Sequence, residues 1–205
     1  MMSPSEGRPP VIGLLGGIAA GKTTVARMLA DLGATCICAD ETAHAVLERP
    51  DIRERIVARW GQGAVGADQT VDRAFLAERV FADREELAAL EAITHPAIVA
   101  SIRDQIARVR GSADVAAVVV DAPLLVETEL DGLCDVLILV DCPREVRLAR
   151  AAERGWGPGE LDCRERRQQA LDAKRQRARF TIEGDVPLET TFQQVQQLWL
   201  EVLGL

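Results

Sequence analysis

Short, continuous apolar runs alternate along the chain with longer stretches of helical periodicity. Apolar runs lie at residues 11–15 and in "ATCIC", "DVAAVVVDAP", "CDVLILVDCP" and the short "FTI". Runs of this length without a polar face are typical of strands buried on both sides, as in parallel sheets covered by helices. The pattern predicts an α/β fold whose core is a five-stranded parallel sheet flanked by helices. The order of the strands cannot be read from it.

The same pattern divides the chain into segments. The first ten residues, "MMSPSEGRPP", are polar and proline-rich, which predicts a disordered lead-in rather than a signal peptide. Helical patterns dominate after the second strand and again after the fourth. The predicted division is a disordered N-terminus at 1–10, a core made of 11–41, 113–143 and 180–205, a helical insertion at 42–112, and an arginine-rich helical segment at 144–179.

Length and charge narrow the class of protein. At 205 residues the chain has room for one α/β domain with insertions. Its formal net charge of −8 is typical of a cytoplasmic surface and argues against a nucleic-acid partner. No apolar stretch approaches the length of a membrane span, so no membrane partner is expected. The oligomeric state stays open between a monomer and a small homo-oligomer.

The five cysteines form an odd set without the paired spacing of a zinc site. They indicate a reducing compartment and no metal cage. Cys36 and Cys38 lie in an apolar run, which favours a buried strand pair over a pair of metal ligands.

Residues 13–24 read "GLLGGIAAGKTT" between the first strand and the helix "KTTVARMLADLG". The glycines and the "GKT" of this stretch match the phosphate-loop pattern, in the strand–loop–helix context that its mechanism requires. Glycines let the backbone aim N–H groups at phosphate oxygens, the helix start adds its positive dipole end, and the lysine bridges the β- and γ-phosphates. The stretch therefore predicts a P-loop NTPase-type fold that binds ATP. The predicted nucleotide-binding residues, called the phosphate loop below, are Gly16, Gly17, Ile18, Ala19, Ala20, Gly21, Lys22, Thr23 and Thr24.

A Mg²⁺ site is predicted from Thr23 and Asp121. The hydroxyl of Thr23 has the position from which phosphate-loop proteins ligate Mg²⁺. Asp121 closes "VVVDAP" at a strand end, where an acid can hold Mg²⁺ directly or through a water. The alternative for Asp121 is a solvated carboxylate. Asp141 has a similar position but ranks lower, because the loop after it leads into the arginine-rich segment.

Asp40 ends the second predicted strand, at the sheet edge where ligands of such folds collect. A carboxylate near the γ-phosphate could accept a proton from an acceptor hydroxyl, so Asp40 is a candidate general base. The alternative is an N-cap for the helix "ETAHAV".

Lysine is rare in this chain. Only Lys22 and Lys174 are lysines, against twenty-two arginines. Each lysine is therefore a candidate for a role that arginine cannot fill.

The segment 144–179 is dense in arginine. Arg147, Arg150 and Arg154 have i, i+3 and i, i+4 spacing, so they share one helical face. They predict a mobile lid whose guanidinium groups close over the transferring phosphate. The alternative is a solvated helical face. We call residues 144–179 the lid.

Beyond these motifs, the chain resembles the dephospho-coenzyme A kinase family from Val11 to about Val195. The resemblance rests on "GGIAAGKTTVA", "ADETAHAVL", "VDRAFLAERVF", "LEAITHP", "DAPLLVE" and "RERRQQALDAK". The phosphate loop is shared by many proteins, whereas "THP" together with "PLLVE" at this separation is much more specific.

The resemblance implies a kinase that transfers the γ-phosphate of ATP to the ribose 3′-hydroxyl of dephospho-CoA, the final step of coenzyme A biosynthesis. It implies that the helical insertion receives dephospho-CoA and that the lid acts on the phosphate, with Lys174 on the lid's returning helix. The catalytic residues it implies are Asp40, Lys22, Arg147, Arg150 and Arg154. The acceptor-binding residues it implies are Asp40, Arg73, His95, Leu124, Leu125 and Glu127.

Three positions depart from the family pattern. Cys38 replaces the first acid of a usual Asp-Ala-Asp, which leaves Asp40 as the sole candidate base there. Leu15 stands where threonine is common, a change expected to be tolerated. Gly184 stands where asparagine is expected, beside the adenine in this family. The adenine contacts are therefore expected to come mostly from backbone, and the nucleotide preference stays open.

Two other functions fit parts of the sequence. A nucleoside monophosphate kinase would share the loop, lid and sheet, but the large insertion carrying "THP" disfavours it. A nucleotide-dependent switch would share the loop alone. The two candidate acids and the arginine-rich lid disfavour the switch, because a switch needs no acceptor pocket.

Overall fold

A computed structural model describes residues 8–112 and 114–204 of the chain. The chain folds as two compact units. The first contains the described residues up to Cys38 together with those from Gln105 on, and the second is Ala39–Asp104. The expectation of a disordered N-terminus falls largely on residues 1–7, which lie outside the described residues. The carbonyls of Pro9 and Pro10 accept hydrogen bonds from Arg110 and from the backbone of Val118.

The first unit is built around a five-stranded sheet in the order β2-β3-β1-β4-β5. Every neighbouring pair of strands is parallel, so the predicted five-stranded parallel sheet is confirmed. Helices cover both faces, which explains why the strands carry no polar face. The strands are β1 (Val11–Gly16), β2 (Ala34–Cys38), β3 (Ala117–Asp121), β4 (Val136–Asp141) and β5 (Phe180–Glu183).

The strand order determines which side chains meet at the carboxyl edge of the sheet. β1 lies at the centre, where Leu14 pairs with Asp121 of β3 and Gly16 pairs with Val140 of β4. The chain runs from β1 toward β2 at one edge of the sheet and from β3 toward β4 on the other side, so the strand order reverses between β1 and β3. Ligands of open α/β sheets bind at such a switch point.

β2 is an edge strand, with β3 as its single neighbour. Cys36 of β2 is exposed and Cys38 is half-buried. The interpretation of these cysteines as a buried pair is therefore wrong, because an apolar run at a sheet edge is covered less completely than one at the centre.

Helices of the first unit complete its core. Val25 and Leu29 pack with Val195, Leu198 and Trp199 over one face of the sheet. Burial of each such aliphatic side chain stabilises the fold by about 1.5–3 kcal/mol. The helices are α1 (Lys22–Asp31), the end of α5 (Arg84–Arg110), α6 (Arg144–Glu153), α7 (Pro158–Glu165), α8 (Leu171–Arg177) and α9 (Leu188–Leu203).

The second unit is helical and has a core of its own. Its helices are α2 (Ala39–Leu47), α3 (Pro50–Trp60), α4 (Arg73–Ala82) and α5 up to Asp104. Asp72 begins α4 as its N-cap, where its carboxylate accepts a hydrogen bond from the backbone of Phe75. The core side chains come from all four of these helices and the connection after α3, and are Val46, Ile52, Ile56, Ala64, Val71, Leu76 and Ile93.

A proline lies inside the longest helix. The sequence indicates two helices on either side of "TH", whereas α5 continues for 27 residues with Pro96 inside it. Proline has no N–H, so the carbonyl of Ala92 loses its helical donor. The Arg55 guanidinium of α3 supplies donors instead, 3.4 Å from the Ala92 oxygen and 3.2 Å from the Ile93 oxygen. The helix continues because a side chain satisfies the carbonyls beside the proline.

We predict that Arg55→Met destabilises the protein, because it leaves these carbonyls without their charged donor. The expected loss in the free energy of unfolding is about 1–3 kcal/mol, measured by urea denaturation. Arg49→Met is the matched control, since the only ion pair of Arg49 among the described residues is with exposed Asp51, and its loss should leave unfolding unchanged. Equal stability of the Arg55 variant and the wild type would contradict the prediction.

Candidate active site

The phosphate loop connects the end of β1 to the start of α1. Gly16 has φ 146° and Gly21 has φ 109°, conformations that side-chain-bearing residues rarely adopt. A Cβ atom at Gly16 would lie 2.5 Å from the Val140 carbonyl oxygen. The two glycines therefore allow the loop to turn tightly over β4 before α1 begins at Lys22. The N–H groups of the first turn of α1 and its positive dipole end form an anion-binding site.

Lys22 is 9% exposed, and its ammonium donates hydrogen bonds to the carbonyls of Gly16 (3.2 Å) and Gly17 (2.8 Å). Burial lowers the pKa of Lys22 to about 8. Asp121 opposes this shift of the pKa, whereas nearby cations add to it. These cations are Lys174, Arg147 and Arg154. A buried ammonium surrounded by cations is a strong binding site for a polyanion.

The two predicted Mg²⁺ ligands lie together. The hydroxyl of Thr23 donates a 2.9 Å hydrogen bond to the carboxylate of Asp121. A hydroxyl and a carboxylate are hard oxygen ligands of the kind Mg²⁺ prefers, so the residues present fit the ion. Within 8–112 and 114–204, three or more His, Cys, Asp or Glu side chains nowhere gather into a metal site. Phosphate and water would therefore supply the remaining ligands.

Asp141, the competing acid, has a different environment. Its carboxylate accepts a 2.7 Å hydrogen bond from Arg175 of α8. Asp141 is therefore paired with an arginine of the lid, whereas Asp121 is the acid that contacts Thr23.

Arg147 is buried and contacts the backbone of the phosphate loop. It is 7% exposed, donates to the carbonyls of Cys142 (3.1 Å) and Ile18 (3.4 Å), and pairs with Glu165 of α7. A Cβ atom at Gly17 would lie 2.8 Å from its guanidinium. These contacts connect α6 to the phosphate loop and to α7, and the closing of Arg147 over the phosphate stays a prediction.

Arg150 also binds the loop. Its guanidinium donates to the carbonyls of Ala20 (3.2 Å) and Gly184 (2.7 Å), which joins the phosphate loop to the turn after β5. Arg154, the third arginine of the predicted face, is exposed at the C-terminal end of α6. Two of the three arginines thus donate hydrogen bonds to the backbone of the phosphate loop.

A pocket of about 180 Å³ opens beside the loop. Its walls are mostly aliphatic side chains and loop backbone, a lining typical of sites for flat, apolar ligand groups such as a nucleobase. The lining residues are Ala19, Ala20, Gly21, Thr24, Val25, Val140, Arg150, Arg154, Gly184, Val186, Leu188 and Thr191.

Gly184, one departure from the family pattern, has a steric reason to be glycine here. A Cβ atom at this position would lie 2.5 Å from the Ala20 oxygen and 3.1 Å from the Asp141 oxygen. Its N–H donates to that same Asp141 oxygen at 2.6 Å. In this backbone arrangement no side chain from position 184 fits against the pocket.

The "PLLVE" residues contact the lid. Leu125 is buried and Leu124 is half-buried. The carboxylate of Glu127 lies 3.2 Å from the Lys174 ammonium of α8 and also accepts from the backbone N–H of Gln169. Sequence reasoning expected Glu127 to border the acceptor, and it missed this pair with Lys174. The scarcity of lysine was the one signal that singled out Lys174.

The remaining predicted acceptor residues belong to the second unit. Asp40 is exposed in the first turn of α2, which begins at Ala39 directly after β2. It is therefore a first-turn acid rather than the residue preceding the helix, and a carboxylate there is favoured by the helix dipole. Arg73 is exposed as the first residue of α4, and His95 is half-buried within α5.

A loop of this shape, with its lysine and the adjacent Thr–Asp pair, is suited to a nucleoside triphosphate. The fold and the site define the class of P-loop kinases. Solved structures share the fold: a shikimate kinase from Acinetobacter baumannii aligns with a TM-score of 0.56 at 15% identity, covering 96% of this chain and 94% of that one. A dephospho-CoA kinase from Campylobacter jejuni aligns with a TM-score of 0.68 at 24% identity, covering 95% and 97%.

The chain belongs to the dephospho-CoA kinase family, whose sequence model matches residues 10–189. It is 43% identical to the dephospho-CoA kinase of Geobacter metallireducens over 93% of this chain and 96% of that relative. It is 39% identical to the enzyme of that name from Deinococcus radiodurans, over 90% and 88%. The resemblance inferred from the sequence motifs is thereby confirmed. Among the described residues, no helix has the length and apolar character of a membrane span.

We predict that nucleotide binding takes up a proton at alkaline pH. The pKa of Lys22 is about 8, and bound phosphates raise it because they favour the ammonium. At pH 8.5 ADP binding should take up protons, up to about one per ADP bound, and the affinity should fall as the pH rises above about 8. Isothermal titration calorimetry of ADP in two buffers of different ionisation enthalpy measures this number. An unchanged proton uptake in Lys22→Met would contradict the assignment to Lys22.

We also predict that Gly184→Ala lowers stability and weakens ADP binding. The added methyl group meets the backbone oxygen of Ala20 in the phosphate loop and that of Asp141 at the end of β4. The expected loss is about 1–3 kcal/mol in the free energy of unfolding. Gly132→Ala is the matched control, because a Cβ atom there meets nothing within 4 Å. Equal stability of the two variants would contradict the steric account of Gly184.

Proposed function

We propose that the protein transfers the γ-phosphate of ATP to the ribose 3′-hydroxyl of dephospho-CoA, giving coenzyme A and ADP, the final step of coenzyme A biosynthesis. The observation that carries the donor half is the buried Lys22 ammonium in the phosphate loop, beside the Thr23–Asp121 pair. The acceptor half is supported by membership of the family and by relatives that carry the name dephospho-CoA kinase.

The phosphate loop holds the donor. Its N–H groups and the Lys22 ammonium bind the β- and γ-phosphates, and the low exposure of Lys22 keeps its charge poorly screened. Thr23 and Asp121 would hold Mg²⁺, which when bound neutralises charge on the phosphate oxygens. The aliphatic pocket beside the loop takes the base, with position 184 contributing backbone only.

Asp40 acts on the acceptor. As an exposed carboxylate in the first turn of α2, it orients the 3′-hydroxyl and accepts its proton as the hydroxyl oxygen attacks the γ-phosphorus. The phosphoryl group moves to that oxygen and ADP leaves. Arg73 and His95 bind dephospho-CoA in this proposal, together with Leu124, Leu125 and Glu127.

The arginines of the lid have divided roles in this proposal. Arg147 and Arg150 keep the phosphate loop in its binding shape through their bonds to its carbonyls. Arg154, exposed at the end of α6 and part of the pocket lining, adds positive charge toward the nucleotide. Together they offset the charge on the transferring phosphoryl group.

We place the protein in the cytoplasm, as a monomer or small homo-oligomer without a nucleic-acid partner. All five cysteines are free, in keeping with a reducing compartment. The net charge of −8 disfavours binding to nucleic acid.

An assay of acceptor-dependent ADP release tests the proposal. Dephospho-CoA should stimulate the release of ADP from ATP, and the stimulation should require Mg²⁺. AMP and CMP should not replace dephospho-CoA. Stimulation by AMP or CMP alone would overturn the proposal in favour of a nucleoside monophosphate kinase, and slow release independent of any acceptor would favour a nucleotide switch.

Asp40→Asn should lower kcat by about 10²- to 10⁴-fold and leave ATP binding nearly unchanged, because a carboxamide cannot accept the proton. Steady-state kinetics with dephospho-CoA and calorimetric binding of ATP measure the two effects. Glu41→Gln is the matched control, since Glu41 is the neighbouring exposed acid in the same turn of α2 and should keep full turnover. Normal turnover of the Asp40 variant would remove Asp40 as the base.

A further inference from the structure

Both lysines of the chain are buried, and both belong to the first unit. Lys22 is 9% exposed and Lys174 is 2% exposed, although lysine is a residue that proteins almost always leave in water. Helix α8, which carries Lys174, packs against β1, the strand that leads into the phosphate loop. A chain that uses arginine twenty-two times thus buries both of its lysines.

Lys174 is held by an acid from outside the lid. Its ammonium lies 3.2 Å from one carboxylate oxygen of Glu127, which also accepts from the Gln169 N–H. The side chain of Gln168 donates to the Pro123 carbonyl at 2.7 Å. Three contacts therefore fasten residues 168–174 to residues 123–127.

The carboxylate of Glu127 is only partly satisfied. Its second oxygen is buried and has no hydrogen-bond partner among the described residues. An ammonium has three N–H donors and a carboxylate accepts up to about four hydrogen bonds, so one ion pair leaves both groups with capacity for a ligand.

The ion pair of Glu127 and Lys174 lies on one face of the sheet, and the aliphatic pocket proposed to take the base, called the base pocket below, lies on the other. Successive residues of a strand face opposite sides, and Ile12 and Leu14 of β1 face α1 and α9, whose residues line the pocket. Gly13 faces the other side, where a Cβ atom would lie 2.7 Å from Leu125. The segment 123–127, and with it Glu127, therefore lies across the sheet from the base pocket.

A nucleotide whose base occupies that pocket directs its phosphate chain along the loop and away from the base. The terminal phosphate would then be the part of the chain farthest from the base. We propose that Lys174 is a second ammonium that binds the terminal phosphate of the nucleotide, and that Glu127 is the positioning residue that holds it there. This inference rests on the proposed function only in naming that phosphate as the one transferred.

Lys174→Met tests the inference, because methionine fills similar volume without charge. Affinity for a non-hydrolysable imido analogue of ATP should fall at least tenfold more than affinity for ADP, which lacks the terminal phosphate. Turnover should fall by about 10²- to 10³-fold, as for loss of one preorganised donor to a transition-state charge. Equal losses for the analogue and ADP would reveal a structural role and overturn the inference, as would wild-type values for both.

Additional variants distinguish the loss of a phosphate contact from misfolding, because Lys174→Met leaves the buried carboxylate of Glu127 without its ion-pair partner. Glu127→Gln combined with Lys174→Met removes both charges and should show the same selective loss for the imido analogue. Glu127→Gln alone should show a smaller selective loss, and it should have no further effect when Lys174 is already methionine. A double variant that binds the analogue as the wild type does would overturn the inference.

Arg175→Gln is the control for general loss of positive charge from α8. Arg175 is exposed, pairs with Asp141 and Asp172, and should be replaceable without change in analogue or ADP affinity. Equal analogue-selective losses in the Arg175 and Lys174 variants would overturn the inference. The binding comparison needs no acceptor, so a wild type inactive with dephospho-CoA would refute the proposed function and leave this test intact.

Discussion

The desolvation of the Lys22 ammonium is the interaction on which the rest of the site depends. Burial weakens the hydration of the charge, and Lys174, Arg147 and Arg154 make its electrostatic environment less favourable still. Carbonyls of the phosphate loop and the carboxylate of Asp121 are the opposing groups. A phosphate chain is the ligand that satisfies this excess of positive charge. Much of the surrounding structure holds these groups in place before a ligand arrives, which is how preorganised electrostatic sites gain their strength.

The sequence predicted the parts of the fold that follow from local patterns. Continuous apolar runs identified the five strands, and the spacing of Gly16, Gly21 and Lys22 identified the loop between β1 and α1. Strand order could not be predicted, because it depends on pairing between segments far apart in the chain. The continuity of α5 through Pro96 was missed for a similar reason: the donor that makes it tolerable, Arg55, lies on a different helix.

In the candidate site, too, residues in local motifs could be predicted from the sequence, and contacts between distant segments could not. Thr23 and Asp121 were paired from sequence because each has a recognisable position at a strand end or helix start, and the structure brings them within 2.9 Å. Arg147 shares helical spacing with Arg150 and Arg154, but spacing alone cannot tell an arginine that reaches a ligand from one that supports a loop. The Glu127–Lys174 pair joins residues 47 positions apart in the sequence and left no periodic signal. Side-chain pairs between distant segments become visible only once the fold is known.

The hydrogen bonds from Arg55 to α5 make that helix dependent on α3, although the two helices are separate in the sequence. The guanidinium of Arg55 on α3 donates hydrogen bonds to the carbonyls beside the proline in the middle of α5. A chimaera that takes α5 from this chain and α3 from a relative without an arginine at that point would keep Pro96 but lose the donor to the Ala92 carbonyl. The natural unit of exchange in this helical region is therefore the pair of helices, and recombination of such proteins should respect that boundary.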